Sequence, residues 1–598
     1  MTDKILQTAI DQWLLWDKNE KTRQQIEELV HKKDMEQLRI LLLDRQTFGT
    51  AGIRAEMGPG NSCLNDLVII QTNQGLVTYM SRVFDQLKEK GIVVGFDARH
   101  NSHSWAQLTA SIFINHGVPV YLYPKICPTP FVPYGIIEFG CCAGIMITAS
   151  HNPKNDNGFK VYWNNGAQIV SPHDKGIQAC IEECLEPWET SWDTSVLQMS
   201  PLKKDPLPQV MDSYYKYLVA MSYDRQLNAN TAIKFTFTPM HGVGEEYVEH
   251  AFSVCGFKPF VKVEKQKDPD PDFPTVPFPN PEEGKCALDL AMQAAAEAHS
   301  GVILANDPDA DRLGVAEKLP NGEWKIFTGN EIGALLGWWL WHCYKHKNPQ
   351  CDPNDVYMIS TAVSSKILAA IAKKEGFHFV ETLTGFKWMG NKAEEFMKKG
   401  KTVLFAFEEA IGFMCGPRPL DKDGINACIR LAELVAYLEQ IEKRSLSEKL
   451  LNIYSTYGYH VNRNSYYLTH DPERIKVLFN RLRNFPGSSI GYPERCGTFP
   501  IKHVRDLTVG YDSSQVNKKP ILPTSKSSQM ITFYLENGCV ATLRTSGTEP
   551  KVKYYAEICT EPDGMDWAAL DEIISTVEQH IIEDFMQPSV NGLLPKPV

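Results

Sequence analysis

Short apolar runs alternate with amphipathic stretches along most of the chain. LVIIQ (67–71), GIVVGF (91–96), VPVYLY (118–123) and AGIMITA (143–149) are continuous enough to predict buried strands. Between them GLVTYMSRVFDQLKEKG (75–91) and SWAQLTASIFINHG (104–117) carry apolar residues at helical spacing. This β-α-β rhythm predicts a mixed or parallel sheet with helices on its faces. It returns at 231–244, 301–307, 355–376 and 401–409, giving three α/β blocks. From 528 to 558 the pattern changes to short alternating strands with an ENG turn, followed by a helix near 565–586, which predicts antiparallel α+β. The fold class is therefore α/β, with three similar mixed-sheet domains and a C-terminal α+β domain. Breaks rich in Pro and Asp divide the chain at 1–205, 206–322, 323–455 and 456–598. KDPDPDFPTVPFPNPEEG (267–284) is a Pro-rich loop inside the second block.

Composition narrows the class. The 598 residues exceed what one core sustains, and 43% apolar with 22% charged is ordinary for a globular enzyme. A net charge of −11 with no long basic block predicts no nucleic-acid partner and no membrane partner. The N-terminal stretch MTDKILQTAIDQWLLWDKNEK lacks the apolar region and cleavage site of a signal peptide. IGALLGWWLW (332–341) is too short to span a bilayer and predicts a buried helix. Fifteen scattered cysteines without a CxxC predict reduced thiols and a cytoplasmic protein.

The candidate chemistry sits where strands end. TASHNPKNDNGFKVY (148–162) puts Ser150 and His151 just past an apolar run. A nucleophile elbow needs glycine two places either side of the serine, and Thr148 and Asn152 stand there. Neighbours on an extended chain also diverge, so Ser150 and His151 are not expected to pair as nucleophile and base. A second reading is a serine that carries a group, such as phosphoryl, which needs a cation and anion-binding loops elsewhere in the chain. DPDADR (307–312) sets Asp307, Asp309 and Asp311 at alternate positions, whose mutual repulsion asks for a hard cation such as Mg²⁺ or Ca²⁺. An EF-hand is excluded, because its sixth and twelfth positions hold Arg312 and Lys318. A solvated acidic turn is the plainer alternative. TLRTSGTEPKVKYY (542–555) exposes backbone amides beside Arg544, a candidate phosphate cradle or an ordinary hairpin loop. TLTGFKWMG (382–390) and FAFEEAIG (405–412) offer Lys387, Glu408 and Glu409 for sugar hydroxyls, and DKDG (421–424) offers Lys422 for proton transfer.

Taken together, these segments resemble one family, the α-D-phosphohexomutases. TASHNP looks like its phosphoserine loop, DPDADR its Mg²⁺ loop, FEEAIG its sugar loop and RTSGTEP its distal phosphate loop. FGTAGIR (48–54), GFDARHNS (95–102), TPMHGVG (238–244) and DKDG match as well, in order, from about residue 40 to 560. The resemblance implies four domains around a central cleft, with the fourth closing on the other three. It implies that Ser150 is a phosphoserine and a metal ligand beside Asp307, Asp309 and Asp311. It also implies that Arg54, His151, Lys160 and Lys422 serve catalysis, with Lys422 the first candidate for acid/base work. Arg312, Thr384, Gly385, Lys387, Glu408 and Glu409 would bind the sugar phosphate, and Arg544, Ser546, Gly547 and Thr548 the phosphate that is not transferred.

WDKN, QKDPDPDFPTV, NPEEG, GFKWMGN and LPTSKSSQMITF resemble the phosphopentomutase branch. That branch interconverts ribose or deoxyribose 1-phosphate with the 5-phosphate, and glucose 1-phosphate with the 6-phosphate. Mg²⁺ is its cofactor, with glucose 1,6-bisphosphate or a pentose bisphosphate as activator. Its partners are small phosphosugars, and a monomer is expected. A sister group, glucose-1,6-bisphosphate synthase using 1,3-bisphosphoglycerate, resembles the chain over the same length. Pro153 agrees with the mutase pattern, and NGLL near the C-terminus leans towards the synthase. Many family members read GEES where this chain reads FEEA, and Phe407 and Ala410 are expected to reshape the sugar pocket for a smaller sugar. A sugar phosphatase sharing these loops would need no carrier serine. A regulatory protein on the same fold would not be expected to keep Ser150 and all three aspartates.

Overall fold

Asn65 makes a helix of the first apolar run, where a strand was expected. Its side-chain oxygen accepts from the Val68 amide at 3.0 Å and caps the helix Asp66–Val83. Every residue from Leu67 to Val77 on that helix is buried, so LVIIQ shows no amphipathic stripe. A continuous apolar run suits a helix buried on all sides as well as a buried strand, and the cap decides between them. The computed structural model describes residues 2–49, 51–469, 471–526, 528–546, 551–562 and 567–596. They form two units, Met1–Tyr357 with Gly385–Leu446, and Met358–Thr384 with Ser447–Val598.

The first unit opens with three helices, Thr2–Trp16, Glu20–Lys32 and Met35–Leu43, around Leu6, Ile10, Trp13 and Leu38. A six-stranded mixed sheet follows, in the order Gly52–Glu56, Asp156–Trp163, Ala143–Ile147, Ile92–Phe96, Val120–Leu122, Lys203–Lys204. Ala143–Ile147 runs parallel to Ile92–Phe96 and antiparallel to Asp156–Trp163. Its five residues are buried on both faces, as expected for a central strand with helices on either side. Each such Ile contributes about 1.5–3 kcal/mol by leaving water. A second, five-stranded sheet has the order Trp324–Phe327, Gly314–Lys318, Val302–Ala305, Phe235–Thr238, Val261–Lys262. The hairpin Thr402–Glu408 with Gly412–Cys415 comes third, with Glu408 opposite Gly412. The apolar run 332–341 lies in the helix Gly329–Lys347, which opens with a capping box of Thr328 and Glu331 and buries Trp339 completely. Among the described residues no helix is long and apolar enough to cross a membrane.

The second unit is built on an antiparallel sheet. Phe499–Asp506, Met530–Leu535, Cys539–Thr545, Lys551–Cys559 and His460–Leu468 lie side by side in that order. Helices Pro472–Arg483 and Trp567–His580 cover it through Leu478, Phe479, Leu570 and Ile574. The ENG segment is the turn expected of it, with Gly538 at φ +86°. Residues 358–384 add an ionic cluster: Glu381 accepts from Lys366 Nζ at 2.8 Å and from Arg505 Nη1 at 2.7 Å. Every cysteine is a free thiol.

Candidate active site

Three loops of the first unit carry the chemistry, each beginning where a buried strand ends. That is the edge at which open α/β sheets hold ligands. The first joins Ala143–Ile147 to Asp156–Trp163. Ser150 sits in it at φ +55° and is 2% exposed. The left-handed conformation costs a residue with a side chain about 1–3 kcal/mol, so the surroundings must hold it there. Arg99 does so. Its guanidinium donates to the carbonyls of Ser150 (2.7 Å), Asn152 (2.5 Å), Pro153 (2.8 Å) and Asp156 (3.1 Å). Its Nε lies 3.3 Å from Asp97, and its face rests on the Phe273 ring at 5.0 Å.

The left-handed turn overturns one expectation. Ser150 is not extended, so its neighbour does reach it: Ser150 Oγ and His151 Nδ1 are 3.2 Å apart. Burial, with Arg312, Arg54, Arg99 and Lys160 nearby, pushes the His151 pKa well down, so the imidazole is neutral. Arg54 donates to Asn152 Oδ1 at 3.1 Å, from the strand Gly52–Glu56.

The second loop, 306–313, places Asp307, Asp309 and Asp311 together, each at most 1% exposed. Ser150 Oγ donates to Asp307 Oδ2 at 2.8 Å. One oxygen from each aspartate falls within 4.8 Å of the others. Lys160 Nζ bridges Asp309 at 2.7 Å and Asp311 at 3.0 Å, and Thr129 Oγ1 donates to Asp309 at 2.6 Å. Burial and then its two acidic neighbours push the Asp307 carboxyl well up. Burial also acts to raise Asp309, but Lys160 and Thr129 outweigh it and hold Asp309 down. Asp309 Oδ1 and Asp311 Oδ1 are buried without a hydrogen-bond partner. Buried carboxylate oxygens do not stay unpaired without cost. An all-oxygen set with two orphaned atoms beside a serine hydroxyl fits a hard divalent cation. TPMHGVG backs this loop: a Cβ on Gly242 would stand 2.3 Å from Pro308 Cα, and Val243 N donates to Pro308 O at 2.9 Å.

The third loop is the turn of the 402–415 hairpin, and it is tied to the second. Leu313 N donates to Ile411 O at 3.1 Å, and Arg312 bridges Gly412. Glu408 and Glu409 stand in this turn. Burial lifts the Glu408 carboxyl to about 7, with Lys422 pulling it down and Glu409 pushing it up. Lys422 Nζ is 3.4 Å from Asp311 and 3.6 Å from Asp421. Burial alone would lower it, but Asp311, Asp421 and Glu408 prevail and hold it as a cation. Arg312 has its Nε 3.9 Å from Asp307 and its Nη1 3.6 Å from Glu282. Lys387, in the first turn of Phe386–Lys398 behind Gly385 (φ +103°), is lowered by burial to about 8. Phe407 lies in the core behind this turn. It is fully buried between Phe405 and Phe413, at 5.8 and 6.5 Å between ring centres, because alternate strand residues face opposite sides and Glu408 takes the other.

In the second unit, Arg544 Nη1 donates to Thr384 Oγ1, joining two of the expected ligand positions. Arg544 Nε is buried without a hydrogen-bond partner. Ser546 N donates to Lys551 O at 2.9 Å. Gly547 and Thr548 lie outside the described residues.

The sequence reading gave no role to Arg99 or Thr129. An Asp-x-Arg after a buried strand was the available sign for Arg99, but its targets are backbone carbonyls, which no motif displays. Thr129 meets Asp309 across 180 residues of chain, and nothing local announces it.

A buried serine facing a carboxylate triad, bounded by Lys160, Lys422 and Arg312, on repeated α/β blocks, has the make-up of a phosphoryl-transfer enzyme. The chain matches the phosphoglucomutase/phosphomannomutase alpha/beta/alpha domain I over residues 45–187, domain II over 212–321 and domain III over 328–457. It is 54% identical to glucose 1,6-bisphosphate synthase of Homo sapiens over 599 residues, covering 99% of this chain and 96% of that protein. It is 53% identical to phosphopentomutase of Homo sapiens over 605 residues, covering 99% and 98%. The fold also matches the open-form crystal structure of the phosphoglucomutase pp63/parafusin from Paramecium, with TM-score 0.64, 18% identity, and coverage of 93% of this chain and 98% of that one. The chain belongs to the phosphoglucomutase/phosphomannomutase family, the α-D-phosphohexomutases, and is an enzyme of the phosphosugar mutase type.

Proposed function

We propose that this enzyme interconverts sugar 1-phosphates with 5- or 6-phosphates, pentose phosphates foremost, through a phosphoryl group carried on Ser150. The observation that carries this reading is the Ser150 hydroxyl, buried and 2.8 Å from Asp307 within the aspartate triad. The bond from Ser150 Oγ to phosphorus breaks as one forms from a sugar hydroxyl, and a proton moves in net from that hydroxyl to Ser150 Oγ. The resulting bisphosphate turns round and returns its other phosphate to Ser150.

Asp307, Asp309, Asp311 and the phosphoryl-bearing Ser150 would hold Mg²⁺. When bound, that ion supplies charge neutralisation for the transferring group. Arg312, Lys160 and Arg54 hold the phosphoryl oxygens by their charge. His151, neutral and against Ser150 Oγ, orients the carrier atom. Lys422, 3.4 Å from Asp311 and 3.6 Å from Asp421, is the first candidate for acid/base work. Glu408, Glu409 and Lys387 meet the sugar, and Arg544, Thr384, Ser546, Gly547 and Thr548 receive the phosphate that is not transferred. Glucose 1,6-bisphosphate, or a pentose bisphosphate, primes the serine. A monomer working in the cytoplasm suits the unpaired thiols.

Bisphosphate synthesis from 1,3-bisphosphoglycerate is the second reading, favoured by the 54% identity to the human synthase, level with the mutase. The test is a panel of ribose, deoxyribose and glucose 1-phosphates with Mg²⁺, each primed by glucose 1,6-bisphosphate. A parallel tube holds glucose 1-phosphate with 1,3-bisphosphoglycerate. Pentose turnover that Ser150→Ala lowers by at least about 10³-fold supports the mutase. Product in the last tube alone makes the chain a synthase. Mutase activity retained in Ser150→Ala removes the carrier serine and both readings with it.

A further inference from the structure

The segment GNEIG (329–333) opens the helix Gly329–Lys347, and both of its glycines face the sugar turn. A Cβ on Gly329 would stand 2.0 Å from the carbonyl oxygen of Glu409 and 2.9 Å from the amide of Ile411. A Cβ on Gly333, one helical turn on, would stand 2.6 Å from two ring carbons of Phe407. Glycine inside a helix is less stable than alanine, so Gly333 asks for a reason, and the Phe407 ring supplies it. The turn itself is strained. Ile411 is β-branched, 3% exposed and at φ +52°, a conformation such residues rarely adopt. It is held from both sides, by the close approach of Gly329 to its amide and by Leu313 N on its carbonyl at 3.1 Å. Gly412 closes the arrangement, since a Cβ there would meet Lys422 Cδ at 2.3 Å and Glu408 Cγ at 3.1 Å.

We propose that Gly333 is a positioning residue for the sugar turn. It seats the Phe407 ring and thereby fixes the strained turn that sets Glu408 and Glu409 against the sugar. Gly333 lies 74 positions before Phe407 in sequence (407 − 333) and touches no reacting atom. Its effect passes through the Phe407 ring to the residue beside it in the strand. The inference rests on the proposed sugar-binding role of Glu408 and Glu409.

The test uses full-length Gly333→Ala, alone and with Phe407→Leu. Kinetics are measured with ribose 1-phosphate and glucose 1-phosphate, and Ser150 phosphorylation from glucose 1,6-bisphosphate is followed by intact mass. In Gly333→Ala the KM should rise about tenfold while kcat falls less than about threefold, because the sugar contacts shift and the serine–aspartate site does not. Trimming the ring in the double variant should bring KM back to within about twofold of wild type. An unmoved KM overturns the proposal. So does a KM increase that Phe407→Leu fails to reverse, or a loss of kcat and Ser150 phosphorylation in parallel, which marks general damage to the fold. A wild-type protein inactive on every phosphosugar overturns the proposed function first, and this inference with it. Activity in the wild type with no change in Gly333→Ala overturns only the inference.

Discussion

Arg99 shows how one side chain can set the geometry of a reaction it does not join. Its guanidinium donates to four carbonyls of the Ser150 loop, of which that of Pro153 also accepts from Asp156 N at 3.1 Å. Lysine in its place has no planar fork and reaches fewer of them. Arg99→Lys should lower kcat by about 10²-fold through a misplaced Ser150, and stability by about 1–3 kcal/mol through unpaired carbonyls. Steady-state kinetics and thermal melts on the same sample check both. Lys387 gives a pH signature. Its ammonium is lowered by burial to about 8, so the free enzyme loses a cation at the proposed sugar site as pH rises through 8. The kcat/KM profile should fall on that side. Arginine keeps its charge, so Lys387→Arg should move the fall out of the measured range. A profile identical in wild type and variant would remove Lys387 from the substrate site.

Elements bring the loops into register, and at this scale the sequence was read unevenly. The strands ending at Ile147, Ala305 and Glu408 were legible, because apolar runs bounded by polar loops survive in any reading. LVIIQ was misread because burial on every side removes the periodicity that separates helix from strand. The aspartate triad was legible from its spacing alone. The contacts of Lys160 with that triad were not, since they join residues 149 and 151 positions apart. The side that Phe407 faces was hidden for a related reason. Its place in a motif named the loop but not the face of the strand. Gly424 shows how tightly the loops interlock. A Cβ there would stand 2.4 Å from Arg312 O and 2.8 Å from Ala310 O. Gly424→Ala should favour its own helix, Gly424–Tyr437, yet displace the aspartate loop. The expected result is activity lowered by at least about tenfold, a shift of about 1 Å costing about 10²-fold, with an unchanged far-UV circular dichroism spectrum. A fully active Gly424→Ala would show that the loop adapts.

For the whole molecule, the ionic cluster of the second unit predicts its response to acid. Burial raises the Glu381 carboxyl, but Lys366 and Arg505 prevail and hold it at about 2, below its ordinary 4.5. Between those values the unfolded chain takes up a proton that the folded chain refuses. Its stabilisation is therefore complete above pH 4.5 and lost as pH falls towards 2. Glu381→Gln should flatten this part of the acid unfolding curve. It should also cost about 2–3 kcal/mol at neutral pH, by leaving Arg505 and Lys366 without their shared partner in a largely enclosed site. Denaturant melts from pH 3 to 7 measure both effects.

The second unit is assembled from two stretches of chain, Met358–Thr384 and Ser447–Val598. On the ribosome they do not appear together. Residues 358–384 emerge first, with Lys366 and Glu381 both in place, and Glu381 then waits for its second partner, Arg505, 124 residues later. At about 5–20 residues per second that interval lasts roughly 6–25 s. Over those seconds the nascent chain carries an ionic cluster short of one partner and unfinished strand pairing, so the yield of folded protein should depend on chaperone supply and on the pace of synthesis as well as on the stability of the finished fold.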